Sequence, residues 1–390
     1  MNCKNENGIL TIELCGRIDS TNADEISRET DDIISSNTFN SIILDAEDLS
    51  YISSAGLRII LKIRKTNPEM KIINANSEVY DIFDMTGFTE MIKVEKAFRK
   101  ISVDGCKVIG KGAKGTVYRL NDDTIIKVYK NPDSLPDIKK ERELARKAFV
   151  LGIPTAISYD VVRVGESYGS VFELLDAKSF SQMIADEPQN IDRYVDLSAE
   201  LLKTIHSTQV KTDDMPDIKE TVYKWISADK PFLNEEQYNK LNELVRKVPD
   251  TLNMLHCDYH TNNIMMQNGE ALLIDMDTLS HGHPIFELAN IYITYVGFGE
   301  MDPTIVESFI GLPYETSKLV WEKFLPAYLG TDDEERLSDA ENKIKLLSYV
   351  RYMRHTVRRG GTDDVDGRNV IAFCADKICE LLNKVNTLEF

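Results

Sequence analysis

Short apolar runs alternate with longer amphipathic stretches along the first hundred residues. The runs at 9–14, 41–45 and 70–74 have the composition of strands, and the stretches at 23–34 and 57–63 have the apolar spacing of helices. A further helix is predicted from about residue 77. Strands that alternate with helices in this way favour a sheet with helices packed on it.

The pattern restarts after about residue 104 with a glycine-rich strand-turn-strand segment. From about residue 192 onward helical periodicity dominates, and a loop-rich block at 256–284 interrupts it. We therefore predict a first domain over residues 1–100, a linker within 99–106, and a second, larger domain after it.

The composition is that of a globular protein with an acidic surface. Hydrophobic residues make up 42% of the 390 residues and charged residues 28%, which is ordinary for a chain that buries a core. The 64 acidic residues exceed the 46 basic ones, which gives a formal charge of -18. This charge disfavours nucleic acid and anionic membranes as partners, and it favours a cationic small molecule.

The expected location of the protein is the cytoplasm. The first seven residues are polar and do not resemble a signal peptide, and no apolar run approaches the ~18 residues that a membrane span needs. The six cysteines are scattered and contain no C-x-x-C pair, which disfavours a zinc site or a disulfide framework and fits a reducing compartment.

Ser54 stands where the predicted helix at 57–63 begins. The free N–H groups and the positive dipole end of a helix stabilise a phosphate there, so Ser54 is a candidate phosphorylation site. Phosphorylation would add about -1.5 to -2 charges to the surface and change which partner docks. The alternative is that Ser53 or Ser54 only caps the helix.

The glycine-rich segment and the strand after it offer groups that bind phosphates. Residues 110–117 read G-x-G-x-x-G-x-V, and glycines at Gly110, Gly112 and Gly115 allow backbone N–H groups to approach phosphate oxygens, although a hairpin turn gives the same string. The segment after it, which begins at Val117, is of strand type and does not fit a dinucleotide fingerprint. Lys127 lies inside an apolar strand, where its ammonium needs an anion or must reach solvent.

Residues 255–277 contain the chemistry that phosphoryl transfer requires. Asp258 can orient and deprotonate an attacking hydroxyl, and Asn263 and Asp275 offer the hard oxygen ligands that Mg²⁺ prefers. His256 and His260 are expected to brace the loop rather than to bind metal. Asp277 is either a further carboxylate near the metal or a structural hydrogen-bonding group.

The first hundred residues resemble the STAS domain of anti-sigma-factor antagonists. The stretch 44–57 is similar to that family's strand, loop and phosphorylation site, and 80–88 is similar to its last helix and turn. The resemblance places Ser54 on the phosphorylated position. Many members that switch by phosphorylation carry Asp just before this serine, whereas this chain carries Ser53.

The rest of the chain resembles the aminoglycoside phosphotransferase and choline kinase group, which has a protein kinase-like fold. Residues 256–263 are similar to the group's H-G-D-x-H-x-x-N pattern and 283–289 to its D-P-x-x-D-L-A segment, with Cys257 and His283 replacing a glycine and an aspartate. The implied fold class is α/β and α+β multidomain: an N-terminal STAS-like sheet with packed helices, then a bilobal kinase-like domain. Its lobes are expected at 104–176 and 177–390, the second mainly helical.

The kinase resemblance implies a role for each matching residue. Lys127 would hold the α- and β-phosphates of ATP while paired with a helix glutamate, for which Glu141 is preferred over Glu143. Asp258 would be the catalytic base, and Asn263 and Asp275 the Mg²⁺ ligands. The remaining nucleotide-binding positions are expected at Gly110, Gly112, Gly115 and Val117 over the phosphates, and at Glu173 and Leu175 in the segment that receives adenine.

Three functions are compatible with these residues. The first is an ATP- and Mg²⁺-dependent phosphotransferase that acts on a hydroxyl of a small molecule, with the STAS-like domain as a regulatory or interaction module. The second is a kinase that phosphorylates Ser54 or a protein partner, as an anti-sigma-factor antagonist switch would require. The third is a non-catalytic adaptor that senses nucleotide.

Overall fold

The computed structural model of the chain describes residues 1–112, 114–175 and 177–389. Residues 176 and 390, at which the predicted lobes end, lie outside the described residues. The strands are β1 (Cys3–Glu6), β2 (Ile9–Glu13), β3 (Gly16–Ile18), β4 (Ser41–Asp45), β5 (Leu49–Ile52), β6 (Lys71–Ala75), β7 (Lys93–Lys96), β8 (Lys107–Lys111), β9 (Gly115–Arg119), β10 (Thr124–Tyr129), β11 (Asp160–Val164), β12 (Ser167–Glu173), β13 (Lys178–Ser179), β14 (Met254–Leu255), β15 (Ile264–Gln267), β16 (Glu270–Leu273) and β17 (Ser280–His281). The helices are α1 (Ala23–Ser36), α2 (Ser54–Thr66), α3 (Ser77–Met85), α4 (Phe88–Met91), α5 (Leu135–Val150), α6 (Phe180–Asp186), α7 (Ile191–Ser207), α8 (Ile218–Asp229), α9 (Glu235–Lys247), α10 (Ile285–Tyr295), α11 (Pro303–Ile310), α12 (Tyr314–Leu329), α13 (Glu334–Arg358) and α14 (Val365–Leu382).

The chain divides into two compact units. The first comprises Met1–Ser102 with Val161–Glu166, and the second comprises Val103–Asp160 with Ser167–Phe390. The division after Ser102 falls inside the segment 99–106 that the sequence predicts as a linker. The sequence does not indicate that 161–166 belongs with the first unit, where Ile101 N–H donates to the Arg163 carbonyl at 2.9 Å.

The first unit is built on a five-stranded sheet in the order β1-β2-β4-β6-β7. Only β1 and β2 are antiparallel; the other neighbours in this sheet are parallel. Alternate residues of the central strands point into one core, so that Ile12 of β2, Leu44 of β4 and Ile72 of β6 lie side by side and are fully buried. This confirms the predicted N-terminal sheet with helices packed on it.

Helix α2 packs closely against the strand that precedes it. Its residues Ile59, Ile60 and Ile63 are buried in the same core, as their helical spacing predicts. A Cβ atom at Gly56 would lie 2.6 Å from a side-chain carbon of Ile52, so a glycine permits this close approach.

The second unit begins with an antiparallel sheet in which β12, β10, β9 and β8 are neighbours, and helix α5 follows β10. The rest of the unit is mainly helical, with α7 packed on α12 and α10 packed on α13. Its large apolar core includes Leu202 of α7, Ile291 of α10 and Phe324 of α12. The predicted kinase-like unit with a helical second lobe is thereby confirmed.

Among the described helices, none combines the length and the apolar character that crossing a bilayer needs.

Candidate active site

Strand β10 brings Lys127 to two carboxylates from distant parts of the second unit. Its Nζ lies 3.1 Å from Glu141 Oε1 on α5 and 2.6 Å from Asp275 Oδ1, which follows β16. Burial opposes the charged form of Lys127, but Asp275 and then Glu141 outweigh burial and raise the pKa of this lysine. The ammonium therefore stays charged and is held in a fixed place between the two carboxylates.

Glu141 is fixed from its other side by a tyrosine. The Tyr129 hydroxyl donates to Glu141 Oε2 at 3.0 Å and lies 3.2 Å from Ser170 Oγ on the neighbouring strand. Glu143, the alternative in the sequence, instead pairs with Lys147 at 3.0 Å on the exposed side of α5. The structure thus places Glu141, rather than Glu143, beside Lys127.

Asp275 has an unusual backbone conformation. Its φ of +63° lies in the left-handed region, which a residue with a Cβ adopts at a cost of about 1–2 kcal/mol. Burial would raise the pKa of the carboxyl, yet the Lys127 ammonium lowers it, so the group is ionised at neutral pH. The ion pair with Lys127 holds a strained residue in place.

The three carboxylates of this part of the site are close enough to share one cation. Glu141, Asp275 and Asp277 each offer an oxygen within 4.8 Å of the others, and Lys114 of the glycine-rich segment pairs with Asp277. Oxygen donors of this kind suit Mg²⁺. The sequence left the role of Asp277 open, and the structure places it beside Asp275.

Asn263, His256 and His260 surround Asp258 in its loop. The Asn263 Nδ2 group donates to the Asp258 carbonyl at 3.0 Å and lies 3.4 Å from Asp258 Oδ2, which leaves Asn263 Oδ1 with no donor among the residues described. The Asp258 N–H donates to His256 Nδ1 at 3.3 Å, and His260 Nε2 lies 3.9 Å from Asp258 Oδ1. The Asp258 side chain remains 29% exposed and is therefore accessible to a reactant.

Glu287 anchors this loop and is a residue to which the sequence analysis assigned no role. Its carboxylate is fully buried on α10 and accepts the N–H groups of His256 at 2.9 Å and Cys257 at 2.7 Å, while His206 Nε2 lies 2.8 Å away. Burial opposes ionisation, but the hydrogen bond from His206 and the charges of the two histidines lower the pKa of Glu287. The acidic position in the segment 283–289 is the signal that could have identified it.

Cys257 occupies the position at which the phosphotransferase and choline kinase group carries a glycine. The backbone conformation at this position explains why glycine is preferred there. Its φ is +64°, a conformation that glycine adopts without steric cost and other residues rarely adopt. The two bonds to Glu287 hold the loop in this shape despite the side chain. The Cys257 thiol is buried, which raises its pKa and makes it a structural rather than a reactive group.

The glycine-rich segment forms the turn between β8 and β9. Gly110 is in β8, while Gly115 and Val117 are in β9, and the Gly112 N–H donates to the Gly115 carbonyl at 2.9 Å. A Cβ atom at Gly115 would lie 2.4 Å from the Val128 carbonyl oxygen, so only glycine fits there. Residue 113 lies outside the described part of the chain.

The predicted adenine-receiving segment follows the last strand of this sheet. Glu173 is the final residue of β12, and the next residue, Leu174, donates its N–H to the Asp123 carbonyl at 2.8 Å. Leu175 continues the chain toward the helical part of the unit. The nucleotide roles of Glu173 and Leu175 stay predictions.

Ser54 in the first unit is exposed and is the first residue of α2. The cap of this helix is Ser53, whose side chain accepts the Ala55 N–H at 3.2 Å. Of the two serines considered as the helix cap, Ser53 is therefore the one that caps α2. The Ser54 hydroxyl makes no hydrogen bond to the residues that the structure describes.

A strand lysine held by a helix glutamate, an aspartate after a strand and an aspartate–asparagine loop define a kinase-like phosphotransferase site. The sequence model of the phosphotransferase enzyme family (APH) matches residues 105–311, and the chain belongs to this family. The STAS domain model matches residues 1–101. Both resemblances stated from the motifs are thus confirmed.

Relatives of the first unit are named as regulators of sigma factors. The anti-sigma F factor antagonist of Paenibacillus polymyxa is 26% identical over 91 residues, which are 22% of this chain and 78% of that protein. BtrV of Bordetella bronchiseptica, also named as an anti-sigma factor antagonist, is 30% identical over 91 residues with the same coverage.

Solved structures similar to this chain include two aminoglycoside phosphotransferases. The apo crystal structure of a thermostable mutant of APH(4)-Ia has 13% identity and a TM-score of 0.48, with coverage of 72% of this chain and 94% of that one. The ADP-bound structure of APH(2'')-Ib has 15% identity and a TM-score of 0.46, with coverage of 77% and 99%.

The substitution Cys257→Gly is expected to leave the catalytic loop intact, because glycine accepts a φ of +64°. Cys257→Val is expected to loosen the loop, because a β-branched residue there costs about 1–2 kcal/mol or more. Hydrogen-exchange mass spectrometry of peptides that cover 254–263 measures the difference. Exchange in Cys257→Val should be roughly five- to thirtyfold faster than in Cys257→Gly; equal exchange in both variants would contradict the strain.

The substitution Glu287→Gln should also release the loop. A glutamine amide presents one oxygen and one NH₂ group, so a backbone N–H of His256 or Cys257 loses its acceptor, at a cost of about 1–3 kcal/mol. The same peptides report the effect by hydrogen exchange, with the exposed Glu307→Gln on α11 as the matched control. Unchanged exchange in Glu287→Gln would mean that other contacts hold the loop.

Proposed function

We propose that this protein transfers the γ-phosphoryl group of ATP to a hydroxyl of a small molecule. The observation that carries the proposal is the position of Lys127, whose ammonium contacts both Glu141 and Asp275. This arrangement would hold a cation and a carboxylate beside the phosphates of a nucleoside triphosphate. Membership in the phosphotransferase enzyme family supports the same reaction class.

Nucleotide binding would use the sheet of the second unit. Lys127 would contact the α- and β-phosphates, and the turn containing Gly110, Gly112 and Gly115, with Val117 after it, would lie over them. Glu173 and Leu175 would border the adenine ring. ATP as the donor is the expectation from the kinase resemblance, and membership in the phosphotransferase enzyme family supports the use of a nucleotide.

The oxygen donors in the site fit a magnesium ion. Asn263 Oδ1 accepts no hydrogen bond from the described residues, and Asp275 is ionised and half-exposed. Asn263 and Asp275 would hold Mg²⁺, with Asp277 next to them. The ion would neutralise charge on the phosphates during transfer.

Asp258 would act on the acceptor. Its carboxylate would accept the proton of the attacking hydroxyl as the hydroxyl oxygen forms a bond to the γ-phosphorus and the bond to the ADP oxygen breaks. Asn263 orients the Asp258 backbone and side chain, and Glu287 fixes the loop on which both residues lie.

Asp258→Asn should lower the rate of phosphoryl transfer by about 10²–10⁴-fold, because an amide cannot accept the hydroxyl proton. ADP release with Mg-ATP and a panel of hydroxyl compounds, including aminoglycosides, choline and sugars, measures this rate. Asp332→Asn, in an exposed acidic run, is the matched control. Equal rates in wild type and Asp258→Asn would overturn the assignment of the base.

A second candidate function is phosphorylation of Ser54 by the kinase-like unit. The exposed hydroxyl of Ser54 begins a helix whose cap is already supplied by Ser53, so a phosphate there would meet the free N–H groups of the helix start. The anti-sigma-factor antagonists that the first unit resembles support a switch of this kind.

Intact mass spectrometry after incubation with Mg-ATP separates the two candidates. If Ser54 is the acceptor, the wild type gains one phosphate, Ser54→Ala gains none, and Ser54→Ala retains any turnover of small molecules. Ser50→Ala, which removes another exposed serine, should behave as the wild type. Phosphate that persists on Ser54→Ala would exclude this site, and ATP binding without any turnover would favour the non-catalytic adaptor.

A further inference from the structure

The end of helix α13 presents an unpaired basic face. Arg351, Arg354, His355 and Arg358 are spaced three, four and seven residues apart, so they share one side of the helix, and Arg359 follows directly. Burial and the neighbouring arginines lower the pKa of His355 to about 4, so its imidazole is neutral at pH 7 and the charge of this face comes from the arginines. No side chain of these five forms a hydrogen bond or an ion pair with another described residue. In a chain with 64 acidic and 46 basic residues, such a cluster without partners needs an explanation.

Two hydrogen bonds connect helix α13, through α10, to the loop that contains Asp258. Ser348 Oγ on α13 donates to the Ala289 carbonyl on α10 at 2.8 Å. Asn290 is the next residue of α10, and its Nδ2 group donates to the carbonyl of Cys257 at 3.3 Å. Cys257 directly precedes Asp258. Arg351 is one turn beyond Ser348 on the same side of α13, and the carboxylates of Asp258 and Glu287 are close enough to act on its charge.

Arg351 is the member of the cluster with the strongest need of a ligand. Its Nη1 atom is buried and has no hydrogen-bond partner, while its guanidinium lies 5.7 Å from the centre of the Trp225 ring. Burial lowers the pKa of Arg351, and the Asp258 carboxylate is the charge that most opposes this shift. A buried, unpaired guanidinium nitrogen is costly unless an anion completes its surroundings.

Asp258 and Glu287 act on the charge of Arg351, but the acidic groups of the other adjacent segments do not pair with these arginines. Asp229 on α8 is fully buried beside Arg354, and burial raises its pKa to about 8, so it is mostly neutral at pH 7. Glu300 is occupied by the hydroxyls of Tyr292 at 3.4 Å and Tyr349 at 2.8 Å. Asp302 caps α11 through the Thr304 N–H.

Apolar and aromatic side chains adjoin both the basic face and the catalytic loop. Phe298 packs on His355, with the ring centres 5.3 Å apart, and Phe309 packs on His260, with the ring centres 5.0 Å apart. Phe309 is nevertheless 44% exposed, as is Ile305 at 38%. Exposed hydrocarbon therefore adjoins the loop that contains Asp258.

We propose that the acceptor carries an anionic group, a phosphate or a carboxylate, in addition to the hydroxyl, and that Arg351 and Arg358 bind this group. The proposal rests on the phosphotransferase function proposed above and narrows its substrate class. The cationic acceptor that the net charge favours would face the positive charges of these arginines.

The first test measures anion binding without turnover. The full-length protein is saturated with Mg-AMP-PNP, so that the nucleotide site is filled, and is titrated with inorganic phosphate or malonate by calorimetry. Arg358→Gln, at an exposed position, and Arg351→Gln should each weaken binding by about tenfold to a hundredfold. Arg336→Gln, at the other end of α13, is the matched control and should bind as the wild type does. Tighter binding of phosphate would indicate a phosphorylated acceptor, and tighter binding of malonate a carboxylated one.

The second test measures acceptor preference with Mg-ATP. Glycerol 3-phosphate and D-glycerate should be phosphorylated with a higher kcat/KM than glycerol or choline, and Arg358→Gln should raise the KM for the anionic compounds. Absent anion binding, binding unaffected by both arginine variants, or a preference for choline would overturn the anionic acceptor. Anion binding that depends on the arginines, with no turnover of any acceptor, would retain this site and contradict the phosphotransferase proposal instead.

Discussion

The ion pairs of Lys127 are the interaction on which the candidate site depends. One ammonium joins strand β10, helix α5 through Glu141 and the turn after β16 through Asp275. A half-buried lysine without partners would cost several kcal/mol, so these elements are confined to the arrangement that supplies both carboxylates. Tyr129 restricts this arrangement further, because its hydroxyl occupies the second oxygen of Glu141.

Charged contacts also sustain the two strained residues of the site. Cys257 and Asp275 both have φ near +63°, and each such residue costs of order 1–3 kcal/mol. Asp275 is held by Lys127, and Cys257 is held by the buried carboxylate of Glu287. Strain therefore occurs at the two points where the backbone must turn to present Asp258 and Asp275, and in each case an ionised side chain stabilises it.

The fold was largely predictable from the sequence, and the site only in part. Strands and helices such as α2 follow from local apolar spacing, and the phosphoryl-transfer residues stand in one recognisable order. Glu287 and the contact of Lys114 with Asp277 were not identified, because they depend on approaches between segments that are far apart in the sequence. The same reason applies to 161–166, whose membership in the first unit rests on backbone bonding to residues near 101.

The net charge of the protein favours a cationic acceptor, whereas the arginines of α13 favour an anionic one. The distance over which each charge acts decides between these two expectations. The formal charge of -18 is spread over the whole surface, and salt screens it beyond about 8–10 Å under physiological conditions. A bound acceptor instead contacts the groups that surround it, and a partly buried guanidinium such as that of Arg351 is screened much less than surface charge is. If the proposed site on α13 binds the acceptor, its local charge would outweigh the overall acidity in selecting what binds there, while the acidity would act on encounter at longer range.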